Sequence, residues 1–201
     1  MENGERKNVY KVYNKIATWF SEDRYAGLME KEYLDGLIDY IPADGVVLDI
    51  GCGTGKPILE YLLSRNLRVT GVDASSGILE IAKANFPSAD LILADMRELD
   101  LSGKYDAVIA WHSFFHLPAS DQPAMFAIFE RHLNPGGILL FTSGSEHGEA
   151  WGVMGGEKVF HASLDTKEYA DLLARHHFNV LKHVENDPNC GNATIWMAQY
   201  T

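Results

Sequence analysis

The chain has almost no cysteine: only Cys52 and Cys190 occur among 201 residues. That excludes a disulfide framework, so the fold must rest on a packed core. Cations are short as well. Lys plus Arg number 17 against 28 for Asp plus Glu, a net charge of -11, which opposes phosphate backbones and argues against a nucleic-acid partner. No apolar stretch approaches the roughly 20 residues that span a bilayer, and the polar start MENGERKN lacks the apolar centre of a signal peptide. Repeats and low-complexity tracts are also missing. What remains is the expectation of one soluble, cytoplasmic domain over residues 1–201, in which Asn192-Ala-Thr194 is a chance sequon. Its content of 46% hydrophobic and 22% charged residues is ordinary for a globular protein.

Against that background one run stands out, Val46-Val-Leu-Asp-Ile-Gly-Cys-Gly-Thr-Gly55. Val46, Val47, Leu48 and Ile50 make the short apolar run of a strand buried on both faces. Gly51, Gly53 and Gly55 let the backbone turn sharply with a ligand pressed against it. Pro57 suits the first turn of a following helix, which the spacing of Ile58, Leu59, Leu62 and Leu63 supports. The unit is strand, glycine loop, helix, and it reads as a cradle for a nucleotide-type cofactor.

Two better-known glycine loops do not fit. A phosphate-binding P-loop needs Ser or Thr after its Gly-Lys pair, and Pro57 stands there. The dinucleotide fingerprint wants a third glycine five residues after the first, where this chain has Lys56. What is left is Asp-x-Gly-x-Gly-x-Gly, in which Asp49 repels a pyrophosphate and tolerates a cationic, amino-acid-like ligand. The pattern then recurs: Leu67 to Val72 ends in Asp73, Leu91 to Ala94 ends in Asp95 and Met96, and Tyr105 to Trp111 is introduced by Asp106. Asp73 lies where a ribose-binding acid falls in such units. Each Asp can alternatively cap a turn or helix, and Cys52 reads as a small turn residue because no basic partner is apparent.

In order along the chain, VVLDIGCGTGKP, VTGVDAS, LILADM, YDAVIAWHSFFHL and LNPGGILLFT resemble the successive motifs of the class I S-adenosylmethionine-dependent methyltransferases, and the likeness runs from about Tyr10 to Tyr200. The resemblance implies a Rossmann-like, doubly wound α/β sheet of seven strands in the order 3-2-1-4-5-7-6, with strand 7 antiparallel and S-adenosylmethionine at the strand carboxyl ends. It places Asp49, Gly51 and Gly53 around the methionine part, Asp73 at the ribose and Ile78 on the adenine, with Cys52 and Ala74 also among the cofactor-binding residues. Asp95 and Met96 meet the adenine edge, and Trp111 approaches the ligand's amino group. The resemblance also implies a helical N-terminal cap over residues 1–41, in which Tyr13, Trp19 and Arg24 close the pocket and Arg24 pairs the methionyl carboxylate. Core aromatics plus one surface Arg would give the same pattern.

Periodicity predicts helices over Tyr10 to Phe20, Leu28 to Ile41, Gln122 to Leu133 and Thr166 to His176, the third ending at Asn134-Pro-Gly-Gly. A fifth strand spans Ile138 to Thr142, a sixth Phe178 to Val184 and a seventh Thr194 to Tyr200. The link of about nine residues, Glu185 to Ala193, is short enough for an antiparallel pair only. The glycine-rich stretch Ser143 to Asp165 is expected to be an irregular loop that selects substrate, together with Trp111 to His116.

Methyl transfer needs little from side chains beyond alignment and exclusion of water. Trp111, Phe114, Phe115 and Trp151 offer aromatic faces to a cation, and His112, His116 and His147 are the candidates for a general base where the acceptor arrives protonated. His112-Ser-Phe-Phe-His116 lacks the Glu and the third ligand of a zinc site, so no metal is expected. The acceptor expected is a small molecule, since the Asn-Pro-Pro-Tyr type of sequence that marks base-methylating enzymes is absent after the fourth strand. The partner list is otherwise empty: a monomer or homodimer, with no membrane. Two other readings stand beside this one, a non-catalytic protein that binds S-adenosylmethionine or S-adenosylhomocysteine, and an NAD-dependent oxidoreductase.

Overall fold

The computed structural model describes residues 2–23 and 27–201. Two apolar faces of one sheet organise it. The sheet has seven strands in the spatial order β3-β2-β1-β4-β5-β9-β8, where β1 is Val46–Ile50, β2 Arg68–Asp73, β3 Asp90–Leu93, β4 Tyr105–Ala110, β5 Leu133–Ser143, β8 Phe178–Asp187 and β9 Ala193–Tyr200. The first five are parallel, and β9 runs antiparallel to both β5 and β8. With β6 (Gly148–Met154) and β7 (Glu157–Ser163) forming a separate ribbon, this is the expected order, in which β8 and β9 take the places of strands six and seven.

Alternation along each buried strand sends side chains to both faces. On one face Leu48, Ile50, Val108 and Phe141 pack under α6 (Gln122–His132) and α7 (Thr166–Arg175), through Met125, Phe126, Phe129, Tyr169 and Leu173. On the other, Val47, Val69, Ile109 and Leu140 pack on α3 (Lys31–Ile38) and α4 (Ile58–Ser64), through Tyr33, Leu34, Leu37, Leu59 and Leu62. Helix α5 (Ser76–Asn85) covers the β2–β3 end. Of the expected 1–41 cap, α3 therefore belongs to a core layer. Only α1 (Glu2–Lys7) and α2 (Tyr10–Asp23) contribute to the roof described below.

Three departures from the expectation have physical causes. Strand β5 begins at Leu133 rather than Ile138: Asn134 donates to Asp106 Oδ1 at 2.9 Å, while Asp106 Oδ2 accepts the Val46 amide at 2.9 Å. The register to β4 slips between Tyr105 and Ala107, so the Asn-Pro-Gly-Gly stop is absorbed as an irregular strand start. The link between β8 and β9 shrinks to Pro188 through Asn192, because bulges let β8 run on to Asp187.

Ser143 to Asp165 is also not an irregular loop. It forms an antiparallel ribbon of β6 (Gly148–Met154) and β7 (Glu157–Ser163). Gly155 and Gly156, at φ 57° and 79°, make the two-residue turn that this positive-φ geometry demands.

Candidate active site

The glycine turn after β1 is held shut from both sides. Gly51 sits at φ 80°, and a Cβ there would lie 2.2 Å from the Ser113 Cβ, so only glycine fits. Ser113 in turn donates to the Ile50 carbonyl at 2.6 Å, fixing the strand end against the turn after β4. The Gly51 and Cys52 amides bond to the Val72 carbonyl. Asp73, at the tip of β2, accepts the Gly53 amide at 3.0 Å and the Ser75 amide at 2.8 Å. Burial pushes the Asp73 carboxyl up, and these backbone donors oppose the shift. A carboxylate carries about four lone-pair sites, so acceptor capacity remains after those two bonds.

Beyond this turn, at the carboxyl ends of β1, β2, β3 and β4, lies a cavity of about 310 Å³. Of the sequence candidates it is lined by Tyr13, Gly51, Gly53, Asp73, Ala74, Ile78, Asp95, Met96, Trp111, Phe115, His112 and His116. Asp49 and Cys52 are buried and are not among its lining residues. Burial, then the nearby Asp49 and Asp73 charges, raise the Cys52 thiol well above its usual range, which leaves no thiolate for nucleophilic work. Phe114 is fully buried between α6 and the sheet. Trp151 stands on the exposed part of β6, and Trp19 packs near the ribbon turn at Gly155. His147 lies apart from the other two histidines, outside the cavity, with Nδ1 2.7 Å from Glu168. Arg24 falls outside the described residues.

The cavity has two chemically distinct ends. At one, Asp95 accepts the Arg97 amide and guanidinium, with bonds of 2.6–3.0 Å, and Arg97 also reaches Asp121. Burial works against ionisation of Asp95, but Arg97 outweighs it and holds the carboxyl below its ordinary value. At the other end, Phe115, His112, His116 and His161 gather under Tyr10, Tyr13 and Phe20 of α2. His112 adopts φ 49°, a left-handed conformation that non-glycine residues seldom take, and its amide donates to Thr142 at 2.8 Å. Trp111 is buried, and its Nε1 has no hydrogen-bond partner among the described residues. An orphaned buried donor on a cavity wall fits a ligand carrying an acceptor there.

Helix α2 is latched over the cavity. Asn14 Oδ1 accepts from Ser75 Oγ (2.8 Å), Ser76 Oγ (3.3 Å) and the Gly77 amide (2.9 Å) at the start of α5. Lys15 pairs with Glu157 on β7 at 3.0 Å. The residues that sequence reasoning left without a role are Ser113, Arg97, Tyr10, Phe20 and His161. A Gly-Gly pair between alternating residues was the signal for the ribbon that delivers His161. Nothing local to Ser113 announces its contact with Gly51.

An α/β sheet of this order with a ligand-sized cavity at its carboxyl ends defines the class: an open, doubly wound nucleotide-type fold. Residues 47–137 match the family model described as methyltransferase domain. A malonyl-[acyl-carrier protein] O-methyltransferase of Serratia marcescens is 34% identical over 125 residues, 59% of this chain and 48% of that protein. A tRNA (carboxymethyluridine(34)-5-O)-methyltransferase of Saccharomyces cerevisiae is 35% identical over 92 residues, 45% of this chain and 30% of that protein. The chain thus spans less than half the length of these curated relatives. In fold it is similar to the 1,6-didemethyltoxoflavin-N1-methyltransferase of Burkholderia thailandensis, with TM-score 0.73 and 18% identity over 96% of this chain and 87% of that one. Over residues 47–137 in sequence, and over most of its length in fold, the chain is similar to the class I S-adenosylmethionine-dependent methyltransferases.

Proposed function

We propose that the chain is an S-adenosylmethionine-dependent methyltransferase that delivers a methyl group to a small-molecule acceptor by direct displacement. The observation that carries this reading is the single cavity that joins the Asp73 carboxylate, the glycine turn and the orphaned Trp111 donor to a ring-lined end under α2. Asp73 would take the ribose hydroxyls, Ile78 and Met96 would flank the adenine, and Gly51, Gly53 and Trp111 would face the amino-acid part. When bound, S-adenosylmethionine supplies an electrophilic methyl on a sulfonium. The chain's own residues orient the partners and exclude water, and orientation alone contributes up to about 7–11 kcal/mol.

A roof latched by Asn14 and Lys15 supports a small acceptor, because a macromolecule would have to displace α2. The net charge of -11 works against a nucleic-acid acceptor. His116 and His112 remain the basic groups in reach of an acceptor, and no chemistry falls to His147. Calorimetry tests the reading: micromolar binding of S-adenosylhomocysteine is expected, and preferential binding of NAD overturns it in favour of an oxidoreductase. Methyl transfer to no acceptor despite tight binding would leave the non-catalytic alternative.

A further inference from the structure

The ring-lined end of the cavity contains a hydrogen-bonded chain drawn from three separate segments. The Tyr13 hydroxyl on α2 lies 2.9 Å from His116 Nε2, in the turn after β4, and His116 Nδ1 lies 2.9 Å from the Phe160 carbonyl oxygen on β7. A carbonyl can only accept, so Nδ1 carries the proton and Nε2 of the neutral ring accepts from Tyr13. Burial, with the neighbouring His161 and His112, pushes the His116 imidazolium down to about 3, in keeping with that neutral tautomer. A hydroxyl that donates to nitrogen keeps the capacity to accept a proton in turn.

The surrounding walls select what can donate it. His161 lies 4.9 Å from His116 and 5.3 Å from Phe115, ring centre to ring centre, and Tyr13 packs at 5.3 Å on Phe20. The carboxylates on the described cavity wall, Asp73 and Asp95, belong to the strand-tip end. A cationic amine would therefore find no counter-charge among these rings, whereas a flat neutral ring finds faces on several sides.

Resting on the methyltransferase reading above, we propose that Tyr13 and His116 form a two-step proton relay for an acceptor whose methylated atom is a hydroxyl or NH of an aromatic or heteroaromatic ring. The acceptor atom's lone pair forms the bond to the methyl carbon, and the methyl–sulfur bond breaks with its electron pair onto sulfur. The acceptor's proton passes to the Tyr13 oxygen as Tyr13's own proton passes to His116 Nε2. His116 ends as an imidazolium with Nδ1–H still on Phe160. Charge is conserved, since the positive charge lost at sulfur appears on the imidazole, and the proton leaves to water when α2 lifts. Because Tyr13 arrives on α2 and Phe160 on the ribbon, the relay exists only when the roof is closed.

Nitrogen NMR on ¹⁵N-histidine protein with S-adenosylhomocysteine, run beside methyl transfer to 4-hydroxyquinoline, xanthine and glucosamine, tests the proposal. The expected result is a neutral His116 protonated on Nδ1 at pH 7, with the Nε2 signal moved by Tyr13→Phe. Transfer should favour the ring probes, with kcat at least tenfold lower in Tyr13→Phe and in His116→Gln, and KM and S-adenosylhomocysteine affinity within about threefold. An Nε2-protonated or charged His116, a signal indifferent to Tyr13→Phe, or unchanged kcat overturns the relay. Transfer to glucosamine alone, or to neither ring probe, overturns the acceptor class. Failure of wild-type protein to bind S-adenosylhomocysteine is a different result and sinks the methyltransferase reading itself.

Discussion

Asp73 already holds the glycine turn without any ligand, which sharpens what its removal should do. Its oxygens hold the Gly53 and Ser75 amides and, in the proposed reading, the ribose. Asp73→Ala should weaken S-adenosylhomocysteine binding by at least about tenfold, a loss of about 1.4 kcal/mol, and should also lower the melting temperature, since each buried donor left unpaired costs about 1–3 kcal/mol. Calorimetry and thermal melts check the two effects; unaltered affinity would refute the ribose assignment. A second residue-level expectation concerns pH. His116 has a folded value near 3 against an unfolded value near 6.5, so between those limits the unfolded chain binds the extra proton. Stability from this group is full above about pH 6.5 and falls as pH drops toward 3. His161 and His132 are lowered by burial in the same direction, while His147, raised by Glu168, runs the other way. Melts from pH 7.5 to 4.5 should show declining stability, with a shallower slope in His116→Gln. An equal slope in the two proteins refutes the assignment. At this scale the sequence was informative about the motif residues Gly51 and Asp73, which the fold brings to the cavity wall. It was silent about contacts between distant segments, such as Ser113 against Gly51 or Tyr13 on His116.

At the scale of elements, α2 and the ribbon are the parts whose placement decides access. Asn14 is the shared acceptor for three donors at the start of α5. Asn14→Ala should leave the sheet intact but loosen the roof: hydrogen exchange should rise over Tyr10–Asp23, and S-adenosylhomocysteine affinity should fall severalfold. Unchanged exchange on α2 would show that the roof is held elsewhere, by Lys15 on Glu157 or by packing of Trp19 on Gly155. The strands β1 to β4 were legible as short apolar runs, and the helices α4, α6 and α7 through the helical spacing of their apolar residues, whereas α5 (Ser76–Asn85) was not read from the sequence. The ribbon was not, because five glycines between Ser143 and Asp165 read as breakers, while the pair that makes a tight hairpin turn, Gly155-Gly156, reads the same way as the rest. Strand β5 was cut short for a related reason: Asn134-Pro-Gly-Gly is a stop signal in isolation, and only Asp106 across the sheet turns it into a strand start.

For the whole molecule, the sheet, its two helical layers and the roof meet at one cavity, so occupancy of that cavity should report on global stability. Any ligand that binds the folded chain and not the unfolded one stabilises it by mass action, about 2.7 kcal/mol at a hundredfold excess over Kd. For a domain of this size each kcal/mol moves the melting temperature by about 2–4 °C. S-adenosylhomocysteine at that excess should thus raise the melting temperature by about 5–10 °C, and NAD at the same concentration should leave it in place. Bulk tRNA at 150 mM salt should also leave it in place, because a chain with 11 more acids than bases releases few counterions from a polyanion. A shift with NAD alone would assign the cavity to hydride chemistry, and a shift with tRNA would mean that the roof opens to admit a macromolecule, contrary to the latch that Asn14 and Lys15 form in the closed state.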